Sequence, residues 1–411
     1  MQQNYKRLKI ACYSTNVTMS IIGNLPPLLF LTFRNLYNIS YSLLGLLVLI
    51  NFSTQLIIDL IFSFFSHKFN IQKTVRLMPV LALSGLTLYA LSPILFSNNI
   101  YFGLAFGTVI FSSASGLAEV LISPIITAIP SDTPERDLSI LHSIYAWGVV
   151  FVIFVSTIFL LIFKETNWQW LILIFSIIPI ISAIFFQYST IPQMQTPEKV
   201  SGALSYFKNK WLWICILAIF FGGASECTMA QWSSSYLEQA LGIEKLWGDI
   251  FGVALFALML GLGRTLYGKY GKQIEKILFL GGIGASICYL LAAIINIPFI
   301  GLFACAFTGF FVSMLWPGSL IVASDKFPSG GVFIYAMMAA GGDLGASIGP
   351  QLVGLITDAV ISNESAIAYS QTLGLLPEQF GMKLGMLIGM LFPIIATLIY
   401  AIILKRKKSV D

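Results

Sequence analysis

Apolar runs of about twenty residues recur along the whole chain, each closed by a short polar interval. A helix crossing the hydrocarbon core of a bilayer needs about 20 mainly apolar residues. The runs therefore read as membrane spans over residues 11–33, 40–65, 74–96, 100–128, 138–163 and 168–190. After a polar interval they resume over 210–238, 247–268, 276–296, 298–323, 330–358 and 381–404. The pattern predicts an all-α polytopic membrane protein whose twelve transmembrane helices form two pseudo-symmetric six-helix bundles. The first bundle covers residues 1–190, a linker covers 191–209, and the second bundle with a short basic tail covers 210–411.

Composition agrees with that reading. Of the 411 residues 57% are hydrophobic and 10% charged, where a soluble chain carries about 25% charged residues. The basic residues are unevenly shared between the two sets of loops. One set, with both termini and the linker, holds nineteen of the 23 Lys and Arg, and the other holds Arg34, Lys164, Lys245 and Lys383. Basic residues near span ends stay on the inner face, so both termini and the linker are expected to be cytoplasmic. The net charge of +5 then needs no nucleic-acid partner. The five cysteines lie in apolar stretches without metal-ligand spacing and read as small core residues. No cleaved leader is expected, because no short apolar run with a small-residue cleavage site follows Lys6, Arg7 and Lys9.

The two halves resemble each other. SFFSHKFNIQK (63–73) follows the second span and RTLYGKYGKQI (264–274) follows the eighth. Aligned at Ser63 and Arg264, Lys68 falls on Lys269, and Pro124 corresponds to Pro317 at nearly the same offset. A duplicated six-helix unit is a transporter architecture, with the site expected between the halves near the midplane.

These features resemble the major facilitator superfamily along the whole chain. GRTLYGKYGK (263–272) is similar to its loop signature, while in the first half Ser63, His67 and Asn70 replace the Gly, Asp and Gly of that signature. GLAEVLISPIITAIP (116–130) followed by LHSIYAWG (141–148) resembles the fucose-permease-like, sugar-porter branch, and MLWPGSLIVASDKFPSGG (314–331) with GGDLGASIGP (341–350) is similar to a subgroup of that branch found among bacteria, which implies a bacterial inner membrane. The resemblance implies gating roles for Lys68, Arg264 and Lys269, with Asp59, one turn before the degraded signature, standing in for the loop aspartate. The Gly-Pro signature of drug antiporters is absent from the fifth span, SILHSIYAWGVVFVIF (139–154), which favours uptake over export.

Three acids lie deep in the spans: Glu119, Glu226 and Asp343. An ionised side chain at mid-bilayer costs at least ~2.5–3.5 kcal/mol, so it faces a cavity, finds a partner or protonates. Glu119, Glu226 and Asp343, with the titratable His142, are the candidates for proton or sodium coupling. Each also has a packing reading, and for Asp343 the ridge of Gly341, Gly345 and Gly349 strengthens it. Asp59 reads as a gate residue beside His67 and Lys68. Polar stripes line one face of the second span (Asn51, Gln55, Asp59) and of the fourth (Ser115, Glu119, Ser123). Asn51, Gln55, Tyr145, Gln231, Trp232 and Trp316 are the candidates for solute contact, aromatic rings being suited to the apolar face of a sugar. Glu226 and Gln231, five residues apart, share no face of a regular helix, and Gly222 and Gly223 are expected to let the segment deform.

The combined reading is a secondary transporter importing a small polar solute, sugar or sugar-like, by proton- or sodium-coupled symport with alternating access. The alternatives are a proton-coupled antiporter or exporter of amphipathic molecules, which the 33 phenylalanines would suit, and a non-transporting solute sensor. An enzyme is not expected, since no catalytic constellation is visible. No cofactor and no metal is expected. The partners are a small-molecule solute, a proton or sodium ion and the lipid bilayer, and the chain is read as a monomer.

Overall fold

The computed structural model describes residues 5–65, 68–130, 134–192, 203–327 and 331–407, and among these every regular element is helical. The first span is a bent pair, α1 (Lys6–Leu28) and α2 (Phe30–Tyr37). Single helices form the second to fifth spans: α3 (Tyr41–Phe65), α4 (Ile71–Leu95), α5 (Ile100–Ala128) and α6 (Pro134–Phe163). The sixth is α7 (Trp168–Phe175) followed by α8 (Ile177–Gln187).

The seventh span is the unbroken α9 (Lys210–Leu241). The eighth joins α10 (Lys245–Trp247), a π-helical segment (Gly248–Ala254) and α11 (Leu255–Tyr270). Then come α12 (Ile274–Ile294), the pair α13 (Pro298–Val312) and α14 (Leu315–Lys326), and α15 (Gly331–Ser362). A short α16 (Glu364–Thr372), which hydropathy does not announce, precedes the last span, α17 (Pro377–Gly389) with α18 (Leu391–Lys407). Eleven stretches among the described residues are long and apolar enough to cross a membrane, and the α1–α2 pair, bent by 48°, makes the twelfth.

The breaks have a local cause. α7, α13 and α17 end near Phe175, Val312 and Gly389, and prolines follow at Pro179, Pro317 and Pro393. A proline has no N–H to give to the carbonyl four residues earlier, and its ring crowds that carbonyl. The carbonyls of Phe175, Ser313 and Gly389 are left without a helical donor. In the first span Pro26 and Pro27 end α1, and Leu29 N–H turns back to Pro26 O at 3.0 Å.

The chain divides into two compact units: Met1–Thr32 with Ser53–Val200, and Phe33–Phe52 with Ser201–Asp411. The boundary read from the sequence keeps residues 33–52 with the first bundle; by spatial contact they group with the second unit. In the first unit α4 packs on α5 and α1 on α6 and α8. A buried apolar cluster including Cys12, Phe62, Met78, Ile125 and Phe186 fills the space among them.

In the second unit α9 is the central helix, packed against α13, α14, α15, α17 and α18. Hydrocarbon gives helices no hydrophobic drive to associate, so close packing and interhelical hydrogen bonds must do it. Gly345 on α15 meets the Phe220 carbonyl of α9 so closely that a Cβ there would overlap it. Buried ring donors tie helices to backbone carbonyls: Tyr289 OH gives to Ser225 O at 2.8 Å and Trp232 Nε1 to Pro350 O at 2.8 Å. Residues 33–52 are held in the same way. Asp358 on α15 accepts the N–H groups of Tyr41 (3.0 Å) and Ser42 (2.7 Å) at the start of α3. Arg34 lies 4.0 Å over the Tyr41 ring and 3.6 Å from Glu378.

Candidate functional site

In the first unit α3 and α5 bring two acids together. A carboxylate oxygen of Asp59 and one of Glu119 lie within 4.8 Å of each other. Asp59 is buried at 5% exposure, whereas Glu119 is exposed. The Oδ1 atom of Asp59 has no hydrogen-bond partner among the described residues. Two like charges this close repel unless a proton or cation lies between them. The pair offers oxygen donors only, a ligand chemistry that suits a proton or a hard cation. Gln55, one turn before Asp59, and Ser115, one turn before Glu119, are buried on the same helix faces. Asp59 thus stands beside Glu119, while Lys68 is exposed and lies 5.1 Å over the Phe65 ring.

In the second unit Glu226 of α9 is paired with a cation. Arg264 of α11 places Nη2 at 3.3 and 3.5 Å from the two carboxylate oxygens of Glu226. Its Nε gives a hydrogen bond to the Ser313 carbonyl at 3.1 Å. That carbonyl is the one left without a helical donor by Pro317, so the break between α13 and α14 is what seats the guanidinium. The Arg264 side chain is 43% exposed and that of Glu226 15%. Ser313 was not legible as a site residue, although the proline four residues on was the signal that could have found it. The second-half counterpart of Lys68, Lys269, repeats its arrangement at 5.2 Å over the Tyr270 ring.

The remaining candidates occupy varied surroundings. Trp232 is fully buried and spends its N–H on Pro350 O, a helix-joining role. Trp316 packs its ring against Gly342 and Gly223, and α9 passes through Gly222 and Gly223 without a break, so the glycines accommodate neighbours rather than bend the helix. Gln231 and Asn51 are buried with polar contacts. Asp343 is buried at 4% exposure on the glycine-rich face of α15, where Ser347 bonds to its carbonyl. Tyr145 is exposed, and its backbone carbonyl accepts from Ser20 Oγ at 2.9 Å. The side chain of His142, like all of His67, lies outside the described residues.

Another buried polar cluster was missed. Ser234 Oγ donates to Asp249 Oδ1 at 2.5 Å, and Lys245 Nζ lies 3.0 Å from Asp249 Oδ2. Asp249 sits in the π-helical turn that opens the eighth span, where the widened helix turns it inward to 1% exposure.

A family model described as Major Facilitator Superfamily matches residues 11–350. The chain belongs to the major facilitator superfamily. It is a multi-pass membrane transporter and not an enzyme. Solved structures of superfamily members share its fold at low identity. A D-xylose–proton symporter matches at 13% identity and a TM-score of 0.71, covering 94% of this chain and 95% of that one. A nucleoside transporter matches at 13% identity and 0.70, covering 96% and 98%. The E. coli fucose:proton symporter matches at 15% identity and 0.57, covering 96% and 99%. No curated protein matches the chain. The neighbours carry different solutes, so the likeness establishes the superfamily fold and leaves the cargo of this member to its own residues.

Proposed function

We propose that this superfamily member imports a small polar solute, sugar or sugar-like, by symport with a proton or a sodium ion. It works by alternating access in a bacterial inner membrane, with both termini in the cytoplasm. The carrying observation is the Asp59–Glu119 pair: two acids within 4.8 Å inside spans. A pair that needs a proton or cation to be stable is suited to load and release one as its access to water changes. Glu226 is the second coupling candidate, with Arg264 as its counter-charge. Within the second unit Asn51 and Gln231 are buried amides suited to hydrogen-bond a polyol without demanding a charged ligand. The asymmetry of the basic loops supports the orientation. The fucose and xylose symporters among the structural neighbours are compatible with a carbohydrate cargo.

A thermal-stability screen of the purified protein against sugars, polyols, nucleosides and organic acids identifies the solute. Uptake of that solute into vesicles under an imposed inward proton or sodium gradient then tests the reading. Accumulation above equilibrium that Glu119→Gln abolishes supports it. Solute expelled when protons enter overturns it in favour of an antiporter.

A further inference from the structure

The guanidinium of Arg264 is only partly used. Its Nε is taken by the Ser313 carbonyl and its Nη2 by Glu226, while Nη1 has no hydrogen bond among the described residues. The contacts to Glu226, at 3.3 and 3.5 Å, are longer than the roughly 2.7–2.9 Å of a tight charge-assisted bond. Both oxygens of Glu226 share one nitrogen, so the carboxylate does not use the two-nitrogen edge of the fork. That edge matches a planar two-oxygen acceptor. The side chain is 43% exposed, and a charged group at that exposure meets water rather than hydrocarbon. The Ser313 anchor holds the fork in place, which lowers the ordering cost of receiving a ligand. A fixed guanidinium, weakly paired, half open and carrying an unused donor, is built to take an anion.

We infer that the solute carries a carboxylate, which Arg264 receives on its Nη1–Nη2 edge in exchange for Glu226. Resting on the sugar-like reading above, this makes the cargo an acidic sugar: a polyol skeleton recognised by amides and one carboxylate recognised by Arg264. The charges also account for the co-transported ion. Arg264 and Glu226 together are neutral; an added carboxylate leaves one net negative charge, and one proton or sodium ion cancels it.

Equilibrium binding to the full-length protein in lipid nanodiscs tests this with matched pairs: D-glucuronate and D-glucose, D-galacturonate and D-galactose, L-lactate and propane-1,2-diol. At least one acid should bind about tenfold or more tightly than its neutral partner, the effect of a hydrogen bond to a charged group. Arg264→Gln should remove that preference, Arg264→Lys should keep part of it, and Glu226→Gln should tighten acid binding by removing the competitor. Equal binding of acid and neutral partner, an acid preference that survives Arg264→Gln, or no binding of any carboxylate overturns the inference. Should Arg264→Gln fail to fold, unchanged acid affinity in Glu226→Gln overturns it equally. Binding of neutral sugars alone would leave the sugar reading standing and this inference fallen; an Arg264-dependent preference confined to the lactate pair would do the reverse.

Discussion

Arg264 and Glu226, 38 positions apart in sequence, meet at 3.3 Å because a proline freed the carbonyl that steadies the arginine. The interaction is partly solvated, so its worth lies between that of a surface pair, under about 1 kcal/mol, and the several kcal/mol lost when a buried pair is broken. A double-mutant cycle of Glu226→Gln and Arg264→Gln should give a coupling energy of about 1–2 kcal/mol in thermal or denaturant unfolding. A coupling indistinguishable from zero would mean that the pair contributes nothing in the bilayer.

The Asp59–Glu119 pair predicts a separation of exchange from coupling. Asp59→Asn or Glu119→Gln removes the need for a proton or cation between the two groups. Solute counterflow in proteoliposomes should persist, while gradient-driven accumulation should fall by about tenfold or more. If both variants accumulate solute as well as the parent protein does, these acids do not couple transport.

The adjacent α9 residues Gln231 and Trp232, both read as solute contacts from the sequence, should respond differently to mutation. Trp232 is fully buried and bonded to Pro350 O, so Trp232→Phe should cost about 1–2 kcal/mol of stability with little change in solute affinity. Gln231→Ala should instead weaken solute binding, because its amide is proposed to contact the solute. Melting temperature and dissociation constant, read on the same preparations, distinguish the outcomes.

Asp358 is a cap supplied from a distance. Its carboxylate accepts two N–H groups at the start of α3, donors that no residue within α3 satisfies. Asp358→Ala should lower stability by about 1–2 kcal/mol, and Asp358→Asn, which keeps one acceptor, by less. Equal stability of Asp358→Ala and the parent would show that water replaces the cap.

The spans were legible because hydropathy and length suffice to mark a membrane helix, and the acids stood out because charge is rare there. The breaks were less so. Pro179, Pro317 and Pro393 follow broken helices, but Pro79, Pro93, Pro124 and Pro350 sit inside continuous ones. A proline frees a carbonyl wherever it occurs; whether the helix parts there depends on what packs around it. Pairings were the least legible. Nothing in the local sequence says that Asp59 will stand by Glu119 rather than by Lys68, or that the indole of Trp232 will be used up by a carbonyl 118 residues away. The Gly222–Gly223 pair shows the same limit: glycine permits a bend and close packing alike, and Trp316 settles which.

Ion-driven accumulation is the most direct test of symport. Vesicles holding the protein, given the screened solute and an inward proton gradient or an inward sodium gradient, should concentrate it several-fold above equilibrium, and Glu119→Gln vesicles should only equilibrate. Accumulation that is absent under both gradients, or that survives Glu119→Gln, Asp59→Asn and Glu226→Gln alike, would contradict it.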